Sequence, residues 1–227
     1  MSKINIRAIT WNVGGRSIPN DFRCIELLGG KAAIENQEVD IYIVGFQEVS
    51  FRLDNIFRDI VLNGEDAWTY AVRTTLASYN YIKICSKRYL GTVLTVFCLK
   101  HHLPHLRDMK SQSTPLTSGF QKFWKCIISD LVGRKLGAWP RSAKAAVSAR
   151  LEIYGMSFCF VCSHLEAYTY DLDSRIAQYK QIIDNHRFRE LTTSYILEHD
   201  YVIWLGDLKS RFDEKKFTFE DIVQKIR

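Results

Sequence analysis

The sequence predicts an α/β fold in which two β-sheets pack against each other and helices cover their outer faces. Three observations predict it: continuous apolar runs typical of strands buried on both faces, a hairpin formed by two such runs, and strand–helix units between them. At 227 residues, without an internal repeat or a flexible linker, the chain fits a single domain that spans residues 1–227.

The strands are predicted from short apolar runs that are rich in branched residues. They cover residues 4–11, 40–46, 67–73, 79–85, 91–98, 145–154, 157–163 and 201–205. Gly155-Met156 is predicted to turn the hairpin. Helical spacing of apolar residues predicts helices at 22–36, 173–189 and 213–227, the first with Asp21 as its N-cap.

Residues 99–144 have a different character. They begin basic, polar and turn-rich, and then apolar residues recur at helical spacing between lysines: Phe120, Phe123, Trp124, Ile127, Ile128 and Leu131. Two interpretations stay open, a helix packed on the core or a basic amphipathic element resting on a membrane surface.

Composition indicates which partners and which cellular compartment the protein is suited to. The net charge of +6 favours acidic partners such as nucleic acid, anionic lipid or polyphosphate, without choosing among them. No apolar stretch is long enough to cross a bilayer, and the N-terminus lacks a signal-peptide pattern. The six cysteines predict buried thiols in a reducing compartment. Cys159 and Cys162 would point to opposite faces of one strand and could not hold one metal ion.

Four predicted strands end in a residue suited to metal or phosphate chemistry: Asn12, Glu48, His164 and Asp207. Each alone is more often a solvated or capping residue, but loops at the carboxyl ends of strands are where α/β sheets place ligands. Mg²⁺ takes carboxylate oxygen, amide oxygen and water, so Glu48 would supply charge and Asn12 a neutral oxygen. Asp207 would orient or deprotonate an attacking water, and His164 would donate to a phosphoryl oxygen.

Basic residues near these strand ends would neutralise a phosphorylated substrate. Lys144, Lys209 and Arg211 are the candidates. The chain has neither a Walker-type glycine loop nor a Cys-x5-Arg pattern. Nucleotide-driven phosphoryl transfer and thiolate phosphatase chemistry are therefore disfavoured.

Seven motifs, in chain order, resemble the inositol polyphosphate 5-phosphatase family of the endonuclease/exonuclease/phosphatase superfamily. They are TWNVGG, FQEV, GTVLTVF, HLPHLRD, AVSARL, SHLEAY and WLGDLKSR, and they cover nearly the whole chain. The resemblance implies a four-layer α/β sandwich. It also implies Mg²⁺-dependent removal of the 5-phosphate from phosphoinositides or soluble inositol polyphosphates.

The resemblance also implies roles for five residues. Glu48 matches the metal carboxylate, Asn12 its companion amide, and His164 the histidine that contacts the scissile phosphate. Asp207 matches the aspartate that positions the water, and Lys144 the lysine of a substrate-contacting loop.

The sequence departs from the family pattern at several positions. Lys209 stands where relatives carry asparagine, and it could pair with Asp207 and weaken it as a base. The glycines of the substrate loop are replaced in residues 143–146, and Tyr168 replaces a second histidine. Residues 111–131 resemble an insertion.

Two further features bear on the fold and the substrate. The segment around residues 101–110 falls where relatives often meet lipid or headgroup. Relatives continue to Pro-x-Trp-Cys-Asp-Arg and Ser-Asp-His motifs that this sequence lacks, so the sandwich is expected to be incomplete at its C-terminal end.

Three functions are therefore considered. The first is the phosphatase, cytoplasmic and peripheral at membranes, acting on a phosphoinositide lipid or an inositol polyphosphate. The second is a catalytically impaired module on the same fold that binds phosphoinositides or membranes. The third is a superfamily nuclease, which Arg211 and the HLPHLRD stretch disfavour, so that nucleic acid is not the expected partner.

Overall fold

The computed structural model describes residues 3–49, 65–116, 144–166, 172–189 and 193–209, and within them eight strands form two four-stranded sheets. The strands are β1 Ile6–Asn12, β2 Ile41–Gln47, β3 Tyr81–Tyr89, β4 Thr92–Leu99, β5 Leu106–Pro115, β6 Ala145–Ile153, β7 Met156–His164 and β8 Tyr201–Asp207. The helices are α1 Cys24–Leu27, α2 Lys31–Glu35, α3 Ala67–Ala77 and α4 Leu172–Asn185, with 3₁₀ turns at Lys100–His105 and Ile196–Glu198.

Both sheets are mixed. Their strand orders are β1-β2-β4-β3 and β5-β6-β7-β8, and each contains one parallel pair among antiparallel ones. The parallel pairs end in register, with Asn12 opposite Gln47 and His164 opposite Asp207. Each sheet therefore brings two strand ends side by side at one edge.

The buried side chains form a four-layer sandwich, which confirms the predicted fold class. Ile41 and Ile43 of β2 face the second sheet and pack in one cluster with side chains such as Phe160. Tyr42 and Phe46 point the other way, into a cluster that includes residues of α1, α2 and α3. A third cluster packs the outer face of the second sheet against α4. Strands buried on both faces explain the continuous apolar runs.

The two sheets are in close contact at Gly45, just before the end of β2. A Cβ at Gly45 would lie 2.7 Å from Leu205 Cδ1 and 2.8 Å from Cys162 Sγ. Because only a residue without a side chain fits there, β2 can lie directly against β7 and β8. This contact sets the spacing between the ends of the two parallel pairs.

The predicted hairpin and the predicted cysteine geometry are confirmed. Strands β6 and β7 are joined by a tight turn at Tyr154 and Gly155, both with positive φ, one residue earlier than the predicted Gly155-Met156, because Met156 already pairs with Ile153 as the first residue of β7. Cys159 packs in the outer cluster and Cys162 in the cluster between the sheets. The five cysteines in the described ranges are free thiols, four of them buried and Cys85 partly buried, and the reducing compartment stays a prediction.

The single helix predicted at 22–36 is wrong, because two short helices occupy the segment. Gly29 and Gly30 separate them, with φ of 102° and 91°. A Cβ at Gly29 would collide with the Arg7 guanidinium, which donates to the Leu28 carbonyl. The N-cap of α1 is Arg23 rather than Asp21, and no side chain caps it.

The strand predicted at 67–73 is also wrong, because Ala67–Ala77 is helix α3. Asp66 caps it, accepting hydrogen bonds from the backbone N–H groups of Trp68 and Thr69. Trp68, Val72 and Leu76 are buried at a spacing of four, so the helical face decides the structure despite the β-favouring side chains.

The segment after β4 holds a strand that the sequence does not predict. Leu106–Pro115 forms β5, an edge strand paired with β6. The predicted insertion at 111–131 therefore begins inside a regular strand, and the amphipathic stripe at 120–131 lies outside the described residues, as does the helix predicted at 213–227. The single-domain assignment and the insertion stay predictions. Among the described residues, no helix combines the length and apolarity that crossing a membrane requires.

Candidate active site

The four strand-end residues predicted from the sequence converge at one edge of the sandwich. Asn12 Nδ2 donates to Glu48 Oε1 at 3.0 Å and to Asp207 Oδ2 at 2.8 Å. His164 Nε2 lies 3.7 Å from Glu48 Oε1 and 3.6 Å from Asp207 Oδ2. One amide therefore links carboxylates from the two sheets, and the imidazole faces both.

Backbone conformation determines where the two carboxylates sit. Glu48 has φ of 56°, a left-handed conformation that turns its side chain away from the line of β2. Gly206 precedes Asp207 with φ of 135°, and a Cβ there would lie 2.0 Å from the carbonyl oxygen of Ser163. Glycine at 206 thus lets the end of β8 lie against β7, which places Asp207 beside His164.

His164 is held neutral within the site. Its side chain is 1% exposed, and burial together with the nearby Lys144 ammonium lowers its pKa from 6.5 to about 3. Lys144 Nζ lies 2.7 Å from His164 Nε2. Since an ammonium only donates, the imidazole accepts at Nε2 and its proton is on Nδ1.

Lys209 forms a salt bridge with Asp207. Its Nζ lies 2.5 Å from Asp207 Oδ2, the same oxygen that accepts from Asn12. Burial acts to raise the pKa of Asp207, but hydrogen bonds from Lys209 and Asn12 outweigh it and hold the pKa below its usual value. The carboxylate is ionised at neutral pH, and one of its oxygens is already engaged by two donors. Lys209 itself has φ of 53°.

Lys144 is the more deeply buried of the two lysines, at 3% exposure. Burial lowers its pKa, and the neighbouring carboxylates of Glu166, Glu48 and Asp207 partly offset that effect. Two ammonium groups and a neutral imidazole therefore lie beside two carboxylates. Such a set can hold a cation between the carboxylates and an anion against the lysines.

The donor atoms fit a divalent cation. One ligand atom each of Glu48, His164 and Asp207 lies within 4.8 Å of the others. Two carboxylate oxygens at that separation suit a hard ion such as Mg²⁺ or Ca²⁺. The sequence predicts that Asn12 offers its amide oxygen to the metal ion. In the structure Oδ1 instead accepts from the Gly14 N–H at 2.9 Å, and Nδ2 faces the carboxylates. Its role as a metal ligand stays a prediction.

The other predicted site residues divide into three groups. Lys144 and Lys209 join the cluster, although their substrate contacts stay predictions. Arg211 and Tyr168 lie outside the described residues. The segment around residues 101–110 begins at the opposite edge of the sandwich, since Leu106 pairs with Ile153 at the far end of β6 from Ala145. The 3₁₀ turn is therefore not beside the site.

Sequence reasoning missed Gln47 as a positioning residue. Its side chain is 1% exposed and hydrogen-bonds Thr10 of β1 and Cys162 of β7. It therefore links the two sheets directly beneath Glu48. Its position as the first polar residue after an apolar run is the sequence feature that could have identified it.

Comparison with known proteins identifies the family of the chain. The family described as Endonuclease/Exonuclease/phosphatase family 2 matches residues 9–227. Inositol polyphosphate 5-phosphatase K of Mus musculus is 27% identical over 98% of this chain and 42% of its own length. Phosphatidylinositol 4,5-bisphosphate 5-phosphatase A of Homo sapiens is 28% identical over 94% of this chain and 19% of its own. The chain thus spans less than half the length of these relatives.

A solved structure shows the same fold. It is the inositol polyphosphate 5-phosphatase domain of SPsynaptojanin, in complex with inositol (1,4)-bisphosphate and calcium ion. It superposes with a TM-score of 0.65 at 25% identity, over 98% of this chain and 56% of that one. The predicted resemblance to inositol polyphosphate 5-phosphatases is confirmed, and the chain belongs to endonuclease/exonuclease/phosphatase family 2.

Proposed function

We propose that this chain carries a metal-dependent phosphomonoesterase site that removes the 5-phosphate from phosphoinositides or soluble inositol polyphosphates. The observation that carries the proposal is the convergence of Asn12, Glu48, His164 and Asp207 from the ends of both parallel strand pairs. The names of the relatives and the inositol bisphosphate in the similar structure support this substrate class.

We propose Mg²⁺ as the cofactor, held by Glu48, with the Asn12 amide as its companion. The facing ligands are hard oxygens, which Mg²⁺ prefers, and the calcium ion of the similar structure has the same preference. When bound, such an ion would supply positive charge to the phosphoryl oxygens and help to orient the substrate.

The protein's own groups would handle the water and the phosphate. Asp207 is ionised and would orient the attacking water and take its proton as a new P–O bond forms. The inositol C–O–P bridge would break at phosphorus, and the leaving inositol oxygen would take up a proton from solvent to become a hydroxyl. Lys144 would donate to the phosphoryl oxygens, and His164, whose Nε2 accepts from Lys144, would orient that ammonium rather than donate to the phosphate as the sequence predicts. Buried lysine donors neutralise phosphate strongly because water screens them little.

Phosphate release is the direct test. Initial rates would be measured with a 5-phosphorylated inositol lipid in vesicles and with soluble inositol 1,4,5-trisphosphate, with Mg²⁺ and with chelator. We expect Asp207→Asn to slow release at least about 100-fold, the usual contribution of a positioned base. Glu35→Gln, an exposed carboxylate on α2, is the matched control. Equal rates for wild type and Asp207→Asn would refute the catalytic role.

One observation favours a second function, a catalytically impaired phosphoinositide-binding module. The contact between Lys209 Nζ and Asp207 Oδ2 engages one of the two oxygens of the proposed base. Such a chain would retain phosphate-binding lysines while losing the base. Co-sedimentation with vesicles distinguishes the two: the module would bind 5-phosphorylated lipid without releasing phosphate, and equal binding to vesicles of neutral lipid alone would count against it.

We further propose peripheral contact with a cytoplasmic membrane surface. The net charge of +6 and the reduced thiols in the described ranges support this location. Nucleic acid is the less favoured partner, and metal-dependent nicking of plasmid DNA by the purified chain would overturn that preference.

A further inference from the structure

A second cluster of metal-ligating side chains lies at the opposite edge of the sandwich. Asp40, His101 and His102 each bring one ligand atom within 4.8 Å of the others. Asp40 directly precedes β2, and the two histidines lie in the 3₁₀ turn that follows β4, which runs antiparallel to β2. The length of β2, about 20 Å, separates this cluster from Glu48.

Two of the three side chains are already oriented by other groups. Asp40 Oδ2 accepts from the Asn5 backbone N–H at 2.7 Å, and Oδ1 lies 2.9 Å from His102 Nε2. His102 is buried, and its Nδ1 lies 2.8 Å from the Tyr154 hydroxyl in the β6–β7 turn. A metal-ligating histidine usually has its second ring nitrogen in such a hydrogen bond, which fixes the ring.

His101 completes the cluster from the solvent side. It is exposed, and its ring centroid lies 3.9 Å from that of His102. An exposed ligand beside two oriented ones gives an ion a path into the site. The arrangement therefore has the features of a metal site: suitable ligands, supporting hydrogen bonds and access.

We propose that Asp40, His101 and His102 bind a divalent transition-metal ion, with Zn²⁺ as the best fit. Two imidazoles and one carboxylate suit Zn²⁺, whereas Mg²⁺ prefers oxygen ligands. Tetrahedral bonds of about 2.0–2.1 Å place ligand atoms about 3.3 Å apart. The 2.9 Å between Asp40 Oδ1 and His102 Nε2 is within a few tenths of an ångström of that separation. Water would take the fourth position.

The site is independent of the proposed phosphatase. It uses none of the residues at the carboxyl ends of β1, β2, β7 and β8. Bound Zn²⁺ would tie the start of β2 to the turn after β4, and through His102 to the β6–β7 hairpin. The expected consequence is a Zn²⁺-dependent rise in thermal stability, because an ion that binds the folded state alone stabilises it.

Calorimetric titration of the untagged full chain with Zn²⁺, in excess Mg²⁺, tests the proposal. We expect His101→Ala to weaken this binding at least about 10-fold and to abolish the Zn²⁺-dependent rise in melting temperature. Lys100→Ala, at an exposed position in the same 3₁₀ turn but outside the cluster, is the matched control and should bind as the wild type does.

Because His101 is exposed, its replacement should leave the fold intact, which circular dichroism would verify. Asp40→Asn provides a second variant that keeps the acceptor for the Asn5 N–H while removing the charge, and it should weaken binding similarly. The proposal is overturned if wild type and His101→Ala titrate identically, or if the wild type binds no Zn²⁺ at micromolar concentration. In the second case, Asp40, His102 and Tyr154 would be a structural hydrogen-bond chain only.

Discussion

His186 should make the stability of the fold depend on pH. The side chain is fully buried beside α4, where Nδ1 lies 2.8 Å from the Thr114 hydroxyl and Nε2 lies 2.5 Å from the Ser148 hydroxyl. Burial, and secondarily the positive charge of Lys87, lowers its pKa from 6.5 to about 4. The folded protein therefore keeps this imidazole neutral under conditions in which the unfolded chain would protonate it.

The sign and size of the effect follow from that difference in pKa. Between pH 6.5 and pH 4 the unfolded state binds a proton that the folded state excludes, so stability is present above pH 6.5 and declines as the pH falls. A gap from 6.5 to about 4, at 1.36 kcal/mol for each pKa unit, amounts to about 3 kcal/mol in full. Between pH 7.5 and pH 4.5 the loss is about 2.5 kcal/mol.

Urea denaturation of wild type and His186→Gln at several pH values measures this contribution. The glutamine amide can still pair with the two hydroxyls but does not titrate. We expect its free energy of unfolding to fall about 2.5 kcal/mol less than that of the wild type between pH 7.5 and pH 4.5. His105→Gln, an exposed control, should follow the wild type. Parallel curves for wild type and His186→Gln would refute the buried neutral histidine.

Three further substitutions test the site and its supports. Lys209→Asn should raise the phosphate-release rate several-fold, because Asp207 loses a donor that engages it. The acid limb of the rate–pH profile should move to higher pH, because that donor lowers the pKa of Asp207, and an unchanged profile would contradict this. Gly206→Ala should lower the free energy of unfolding, measured by urea denaturation, by at least about 3 kcal/mol, because the new Cβ would collide with the Ser163 carbonyl oxygen. A loss of less than about 1 kcal/mol would argue against that contact. Asp66→Ala should lower the free energy of unfolding by about 1 kcal/mol through loss of the α3 cap, with Asp66→Asn losing less; equal values for the two variants would count against capping.

The sequence predicts the layers of the fold well because buried strands leave a strong pattern. The run ending at Glu48 is β2, in which all seven residues are buried, as a strand covered on both faces requires. The run ending at Asp207 also forms a strand, β8, but among the described residues it is only partly buried, and Tyr201 is exposed, so the predicted burial of this strand is wrong there. Secondary-structure propensity gives a wrong prediction where tertiary contacts determine the structure. Trp68 and its neighbours favour strands by propensity, yet Asp66 and a spacing of four make them a helix. Strand β5 has an exposed polar face at the sheet edge, so it lacks the apolar alternation by which strands are recognised.

Membership of the candidate site is also predictable, but its internal arrangement is not. Strand ends bring Asn12, Glu48, His164 and Asp207 together because parallel neighbours end at one edge. The orientation of the Asn12 amide depends on the Gly14 N–H, and no spacing in the sequence encodes that contact. The second metal cluster is equally hidden, because Asp40 and His102 are adjacent only through the antiparallel pairing of β2 and β4.

The dependence of phosphate release on Mg²⁺ concentration, compared between wild type and Glu48→Gln, tests the central claim most directly. Glu48 supplies one of the two carboxylates at the site, so its neutral replacement should hold the ion less tightly. We expect the Mg²⁺ concentration for half-maximal release of the 5-phosphate to rise at least about 10-fold in Glu48→Gln. Superimposable Mg²⁺ curves for the two proteins would contradict the account.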